Sequence, residues 1–173
     1  MMKARSGFTL IELLVVIAII GTLAAISYPF LRSNIDKSRQ VSCLTNLRGL
    51  GVALEAYLQE NNRKMPAIAP ARASRNDDVP VLETVLAPYL NNEQAFHCPA
   101  DAKQFAKTGS SYLWNSTQSG RLASNLAFMN LDNKPEAIPL IADKEGWHPG
   151  KKNTNILYAD LSASSDLRFG TSP

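Results

Sequence analysis

The sequence has little of what catalytic and metal-binding sites are usually built from. Its 173 residues include only two cysteines and two histidines, at irregular spacing, so they form no zinc-binding signature. The aspartates lack the spacing of a calcium-binding loop. No Gly-x-Ser-x-Gly turn and no glycine-rich phosphate-binding loop is present. The sequence therefore predicts a protein that is not an enzyme and holds no resident cofactor.

Charge of one sign is also scarce. The side chains carry a net charge of +3, and two of the cations, Lys3 and Arg5, lie at the extreme N-terminus. Without those two the net charge falls to about +1, which is too little to indicate nucleic-acid binding. No internal repeat is visible, and the length suits one globular domain attached to an anchor.

One long apolar run stands out against this background. It extends from Phe8 to Tyr28 with Glu12 as its single ionisable side chain, and as a helix it is roughly 32 Å long, enough to cross a bilayer core. The basic residues before it predict a cytoplasmic N-terminus, with the rest of the chain across the membrane. A secretory signal peptide is cut after its apolar run, whereas the candidate cleavage position here, Gly7, precedes it. Cleavage after Gly7 leaves the helix on the mature chain.

Glu12 is the residue in this run that needs a partner, because an unpaired carboxylate near the end of a spanning helix costs about a few kcal/mol. Cleavage after Gly7 creates one, since the new α-amino group of Phe8 is a cation at the same membrane depth, on the same chain or on a neighbour. Such a pair favours lateral association of helices in lipid. The alternative is that Glu12 lies in the headgroup interface.

An amphipathic pattern follows Pro29. Apolar residues recur at steps of three and four while most charged residues fall elsewhere, which predicts one helix from Phe8 to about Asn61. Proline lacks the backbone N–H, so a bend is predicted near Pro29. The apolar residues of this second half are Cys43, Leu47, Leu50, Leu54, Tyr57 and Leu58.

The rest of the chain predicts a small head of mixed structure. Proline and charge from Lys64 to Pro80 indicate an exposed loop, and Val81 to Leu90 indicates a short helix. The predicted fold class is α+β, a long N-terminal helix with a transmembrane first half packed against a small antiparallel sheet. The predicted strands are 110–115, 137–143 and 155–160, with a turn at 146–150 between the last two.

The segment Gly7–Glu12, Gly-Phe-Thr-Leu-Ile-Glu, resembles the processing site of type IV pilins and of the pseudopilins of type II secretion. The resemblance implies that a membrane-embedded prepilin peptidase cuts between Gly7 and Phe8 and that Phe8 becomes N-methylated. It also implies that Glu12 guides docking of subunits into a helical filament. Gly21 and Pro29 fall where this family commonly has its helix-loosening glycine and proline.

The same resemblance implies an organisation and a set of partners. The expected segments are a leader at 1–7, a transmembrane and filament-core helix at 8–28, its amphipathic continuation at 29–62 and a periplasmic head at 63–173. The precursor is expected to cross the inner membrane once and to polymerise with its own copies. An inner-membrane platform protein and a cytoplasmic ATPase are expected to drive this assembly.

Three functions are open at this point. The compact head and small net charge favour a subunit of a type II secretion pseudopilus. A surface type IV pilin for adhesion, motility or DNA uptake is the alternative. A hypothesis of a different class is a membrane-anchored periplasmic binding or enzymatic domain on a pilin-type anchor, which predicts a pocket with converging polar groups.

Three head segments resemble a branch of pilin-like proteins common in planctomycetes and verrucomicrobia. Cys98–Asp101 fits the Cys-Pro-x-Asp segment of that branch, and Ser111–Asn115 fits its Ser-Tyr-x-x-Asn segment. The third segment, from a histidine to Asp-Gly, departs from the pattern. His148 and Asp160 are separated by eleven residues instead of nine, and Leu161 replaces the glycine.

Two cysteines in a chain whose head lies outside the cytoplasm predict a disulfide. Cys43 lies on the apolar helix face and Cys98 lies in a head loop that can pack over it; the alternative is two separate buried thiols. A bridge closes a loop of about 55 residues and stabilises by about 3 to 4 kcal/mol. By resemblance to major pseudopilins, which often hold calcium in a C-terminal loop, Asp143 and Asp160 are candidate calcium ligands. The alternative for both is turn capping.

Overall fold

A helix of 51 residues, α1, spans Leu10–Glu60 in the computed structural model. The structure describes residues 9–132, 134–150 and 152–168. Their contacts divide the chain into two units between Ile35 and Asp36, and α1 contributes to both. Pro29 lies inside α1 without ending it, so the predicted single helix is confirmed over this range. The predicted start at Phe8 lies outside the described residues, and the bend near Pro29 stays a prediction.

In the first unit, every described side chain of α1 is exposed. This stretch makes α1 long and apolar enough to cross a membrane, judged by length and composition. Its hydroxyl groups bond within the helix: Thr22 Oγ1 donates to the carbonyl of Ile19 and Ser27 Oγ to that of Leu23, both at 2.8 Å. The helix therefore satisfies these polar groups by itself, as a non-aqueous surrounding requires.

The described part of the head contains the strands β1 Tyr112–Trp114, β2 Ala127–Phe128, β3 Leu131–Asp132, β4 Pro139–Asp143, β5 Ile156–Tyr158 and β6 Ala163–Ser164. Four of them form an antiparallel sheet with the order β1-β4-β5-β6, and β2 pairs with β3 in a separate hairpin. β4 pairs with β1, placing Asp143 opposite Tyr112, and with β5, placing Ala142 opposite Ile156. The α+β class and the three predicted strands are confirmed, each strand shorter than predicted.

The second half of α1 lays its apolar face on this sheet. The predicted face is buried except for Tyr57, which is partly buried against the core. Gly51 permits a close approach to β5, because a Cβ at this position would lie 3.1 Å from Leu157 Cδ1. The sheet supplies large buried side chains to the same core, including Tyr112 and Trp114 of β1.

Two sequence expectations for residues 64–90 need correction. The predicted helix at Val81–Leu90 divides into α2, Leu82–Val85, and a 3-10 turn, Ala87–Tyr89, because Pro88 has no N–H to continue the helical ladder. The predicted exposed loop has no helix or strand, but its Met65 and Ile68 are buried in the core. Burial of these two side chains outweighs the polar character of their neighbours. A further short helix, α3, spans Gln104–Thr108.

Candidate functional site

Glu12 lies in the first turn of α1 and hydrogen-bonds to Thr9. The Thr9 backbone N–H and hydroxyl donate to Glu12 Oε2 at 2.8 and 2.7 Å, and the Glu12 N–H donates to Thr9 Oγ1 at 3.3 Å. This reciprocal arrangement is a capping box, in which side chains satisfy backbone donors of the first helical turn. Sequence reasoning missed the role of Thr9, although the Thr-x-x-Glu spacing was a signal for it.

The predicted cleavage site, between Gly7 and Phe8, lies outside the described residues. Gly21 lies within α1 in open space, since a Cβ added there meets nothing within 4 Å. Its predicted helix-loosening role stays a prediction, as does the assembly role of Glu12.

The apolar surface that follows Glu12 is unusual for a chain in water. Leu10, Ile26 and Phe30 are 81, 73 and 72% exposed, and the large apolar side chains between them are exposed as well. A continuous apolar surface of this extent marks a site that lipid or another protein covers. Lipid would cover this surface in a membrane, and the helices of neighbouring chains would cover it in a filament core. The surface therefore suits both surroundings.

At the other end of α1, a disulfide joins Cys43 on the helix to Cys98 in the head. The two Cα atoms lie 4.9 Å apart, within the range for a disulfide, and both residues are fully buried. The bridge encloses a sequence separation of 55 residues. It ties α1 covalently to the loop that precedes α3.

A buried histidine lies against this disulfide, and a buried carboxylate lies against the histidine. His148 Nε2 is 3.6 Å from Cys98 Sγ and 3.3 Å from Asp143 Oδ2. Asp143 Oδ2 also accepts the Asn155 backbone N–H at 2.7 Å. Burial raises the pKa of Asp143, and interactions with His148 and Asn155 offset part of that rise. We call Cys43, Cys98, Asp143 and His148 the buried cluster.

Asp101, in the first resemblance segment of the head, is a structural capping residue. Its carboxylate accepts the Ser111 hydroxyl at 2.6 Å and three backbone N–H groups at the start of α3. Burial acts to raise the pKa of Asp101, but these hydrogen bonds outweigh burial, so its pKa is lowered. Ser111 Oγ also accepts the Cys98 N–H at 3.0 Å, so Ser111 links Asp101 to the disulfide loop.

Asn115, the last residue of the second segment, joins neighbouring parts of the sheet. Its side-chain amide donates to the Pro139 carbonyl at 2.8 Å, and its Oδ1 accepts the Thr117 N–H and hydroxyl. The hydrogen bonds of Asp101, Ser111 and Asn115 all hold loops and strands in place. These two segments therefore serve the architecture of the head.

The candidate calcium ligands Asp143 and Asp160 have different surroundings. Asp160 Oδ1 accepts the Ser162 N–H and hydroxyl at 2.9 and 2.6 Å, and its Oδ2 is 3.7 Å from Arg168 Nη1. Calcium takes about six to eight oxygen ligands. Asp143 borders an imidazole and Asp160 borders a cation, so neither donor set fits calcium. Asp160 instead caps a turn.

Two clefts in the head bear on the alternative of a binding or enzymatic domain. One, of about 280 Å³, is lined mainly by apolar side chains, among them Trp114 and Ile141. The other, of about 190 Å³, is lined partly by Arg72 and Glu83, which form an ion pair at 2.9 Å. Among the described residues that line these two clefts there is no histidine and no cysteine, so neither cleft opens onto the buried cluster.

Comparison with known proteins identifies a matching family model and several relatives. Residues 2–28 match the family described as the prokaryotic N-terminal methylation motif. Fimbrial protein Q of Moraxella bovis is 40% identical over 83 residues, covering 48% of this chain and 52% of the relative. Type II secretion system core protein G of Aeromonas hydrophila is 44% identical over 61 residues, covering 35% of this chain and 43% of the relative.

A longer match is with the type IV major alpha-pilin of Moraxella bovis, which is 34% identical over 114 residues. That match covers 66% of this chain and 72% of the relative, whereas the chain spans about half or less of the first two relatives. No solved structure matches the chain.

Proposed function

Because the chain belongs to the family of type IV pilins and type II secretion pseudopilins, we propose that it is a structural subunit of a type II secretion pseudopilus. Membership in this family implies processing by a prepilin peptidase and polymerisation into filaments. The observation that carries the proposal is the part of α1 at residues 10–35, whose side chains are all exposed and most of which lies within the methylation-motif match at residues 2–28.

The proposed cycle begins with a precursor that crosses the inner membrane once, with its head in the periplasm. The peptidase cuts after Gly7, and Phe8 is N-methylated. An inner-membrane platform protein and a cytoplasmic ATPase then extract the subunit into a helical filament. During this step the exposed apolar surface of α1 exchanges lipid for neighbouring helices, which conserves its burial.

The choice of a secretion pseudopilus over a surface pilus rests on the head. The described part of the head holds a four-stranded sheet and a two-stranded hairpin, and the net charge is small. The relatives include both a type II secretion protein and type IV pilins. Deletion of the gene separates the two: loss of protein export with surface pili intact supports the pseudopilus, and the reverse phenotype assigns a surface pilin.

The first experiment is the intact mass and N-terminal sequence of the protein purified from its own membranes. A chain that begins with N-methylated Phe8 is expected. A chain that retains residues 1–7, in cells that process their other pilins, would show that α1 serves only as an anchor. The head would then need a function of its own.

A further inference from the structure

An ionisable ring contacts one sulfur atom of the buried disulfide. His148 Nε2 makes a hydrogen-bonding contact of 3.6 Å to Cys98 Sγ. His148 is 4% exposed, and both cysteines are fully buried. Electrostatic interactions are stronger in such surroundings than in water. A group that can take and return a proton therefore touches a sulfur atom whose reactivity depends on its proton, because the thiolate and not the thiol is the nucleophile.

Asp143 fixes the position of this ring nitrogen. Its Oδ2 is 3.3 Å from His148 Nε2 and also accepts the Asn155 N–H at 2.7 Å. A proton on Nε2 therefore lies beside both a sulfur atom and a carboxylate oxygen. When the proton is on Nδ1 instead, the lone pair of Nε2 faces Cys98 Sγ. Among the described residues Nδ1 has no hydrogen-bond partner that would select one of these two forms.

The contact between His148 and Cys98 is made within the head. Cys98 lies in the loop before α3 and His148 in the loop before β5, whereas Cys43 lies on α1. Hydrogen bonds inside the head hold both loops: the Cys98 N–H donates to Ser111 Oγ at 3.0 Å, and the His148 N–H donates to the Asn153 carbonyl at 3.2 Å. The head can therefore bring His148 to Cys98 before the disulfide exists.

We propose that His148 is the acid–base residue that makes Cys98 the attacking thiolate when the Cys43–Cys98 disulfide forms. The oxidant is a disulfide-bonded molecule. Cys43, on a helix face that the head has not yet covered, attacks the oxidant first and forms a mixed disulfide with it. The first oxidant sulfur leaves as a thiol and carries the proton of the Cys43 thiol.

In the second step His148 Nε2 takes the proton of the Cys98 thiol. The Cys98 thiolate attacks Cys43 Sγ, and the bond between the two cysteines forms as the bond from Cys43 to the oxidant breaks. The second oxidant sulfur leaves with that electron pair and takes up the proton from His148. In total two thiols lose two electrons and two protons, which convert the oxidant into two thiols.

This step couples the covalent link to the packing of the head on α1. The thiolate is prepared within the head, and it can attack only when the head brings it against the correct helix face. Two further ionisable groups lie nearby: Asp101, which hydrogen bonds link to the Cys98 loop, and Tyr112, opposite Asp143 in β1. Both are kept in the variants used as tests. The inference rests on the buried cluster and is independent of the filament role.

The first test measures thiolate formation by ultraviolet absorbance across a range of pH, in full-length chains in detergent micelles that each keep one cysteine. In Cys43→Ala, the Cys98 thiol is expected to be half ionised at least about one pH unit below the ordinary thiol value of about 8.5. In Cys98→Ala, the Cys43 thiol is expected to ionise at a higher pH than Cys98 does. Ionisation of Cys98 at or above the ordinary value would overturn the proposal without any histidine variant.

The second test compares two histidine variants that keep both cysteines. Each full-length chain is reduced, mixed with excess oxidised glutathione and quenched with acid at successive times, and its free thiols are counted by mass. His148→Gln is expected to close the disulfide at least about tenfold more slowly than the unsubstituted chain near neutral pH. His97→Gln, which alters the other histidine, stacked on Phe105, is the matched control and is expected to close at the unsubstituted rate.

The dependence of closure on pH distinguishes acid–base chemistry from a structural effect of the substitution. The difference between His148→Gln and the unsubstituted chain is expected to shrink above a pH of about 9, where a thiol ionises without a base. Equal rates for His148→Gln and His97→Gln near neutral pH would overturn the proposal. A slowing of His148→Gln by the same factor at every pH would overturn it as well.

Discussion

At Glu12 the observed hydrogen bonds and the proposed pairing with Phe8 make different demands on one carboxylate. The hydrogen bonds from Thr9 need only an acceptor oxygen, whereas pairing with the α-amino group of Phe8 needs a negative charge. An amide at this position keeps the first interaction and loses the second. Glu12 and Thr9 can therefore be varied to separate helix capping from subunit docking.

We expect Glu12→Gln to abolish filament assembly and Thr9→Val to preserve it. The first variant keeps an acceptor for the Thr9 N–H but has no charge, and the second keeps the charge but loses the hydroxyl. The measurement is the amount of subunit in sheared filaments, compared with the amount in the membrane. Normal assembly by Glu12→Gln would show that charge pairing is not the role of this residue.

Asp101 makes the head sensitive to acid. The pKa of Asp101 is lower in the folded chain than in the unfolded chain, so the folded state binds fewer protons at this carboxylate. Its contribution to the free energy of unfolding is therefore fully present above the unfolded pKa. That contribution is lost as the pH falls through the folded pKa. Asp143 has a raised pKa and the opposite sign.

We expect Asp101→Asn to lower the free energy of unfolding by about 1 to 3 kcal/mol near neutral pH, because an amide cannot accept the same set of hydrogen bonds. The loss should shrink as the pH falls below about 4. Urea unfolding of both chains across this pH range checks the expectation. If the two chains differed in free energy of unfolding by the same amount at all these pH values, the loss would not come from the hydrogen bonds of the ionised Asp101.

At the scale of elements, the contact between α1 and β5 depends on one small residue. Gly51 faces Leu157 at a distance that leaves no room for a branched side chain, whereas Gly49, two residues earlier on the same helix, meets nothing within 4 Å. Both glycines lie in α1, and they differ in whether a side chain of the head faces them.

We expect Gly51→Val to be less stable than Gly49→Val by about 1 to 3 kcal/mol, the usual cost of overpacking a core. The comparison cancels the helix propensity of valine, and thermal unfolding of the two detergent-solubilised variants measures the difference. Equal stabilities would mean that α1 does not pack on β5 as the structure shows.

At the scale of the whole molecule, the chain divides its apolar surface between two uses. In residues 10–35 that surface stays exposed, and from Asp36 onward it forms the core of the head. Assembly and head stability are therefore served by different parts of α1. The Cys43–Cys98 link belongs to the second part.

We expect the Cys43→Ala/Cys98→Ala double variant to have a free energy of unfolding about 3 to 4 kcal/mol lower than that of the oxidised chain. The reason is that its unfolded state regains the conformational entropy that a closed loop of 55 residues loses. Chemical denaturation of the two chains gives the measurement. The expected effect is confined to head stability, and membrane insertion of the precursor should stay unchanged. A stability equal to that of the oxidised chain would contradict this.

The parts of the fold that were predictable are those with strong local patterns. The unbroken apolar run and the three- and four-residue spacing around Leu47 and Leu54 predict α1. The apolar run that ends before Asp143 predicts β4. The hairpin of β2 and β3, and β6, are two residues each. Strands that short have no periodicity to read, and their existence depends on the partner strand.

The sequence by itself determined that a single apolar helix leads the chain, that its second half has one buried face, and that Gly7–Glu12 has the form of a prepilin processing site. These properties depend on neighbours along the chain. Only the tertiary structure decided that His148 lies against the Cys43–Cys98 disulfide and that Asp143 lies against His148. Contacts across 50 to 100 residues are set by how the strands pair and how α1 packs on them, which no local pattern specifies.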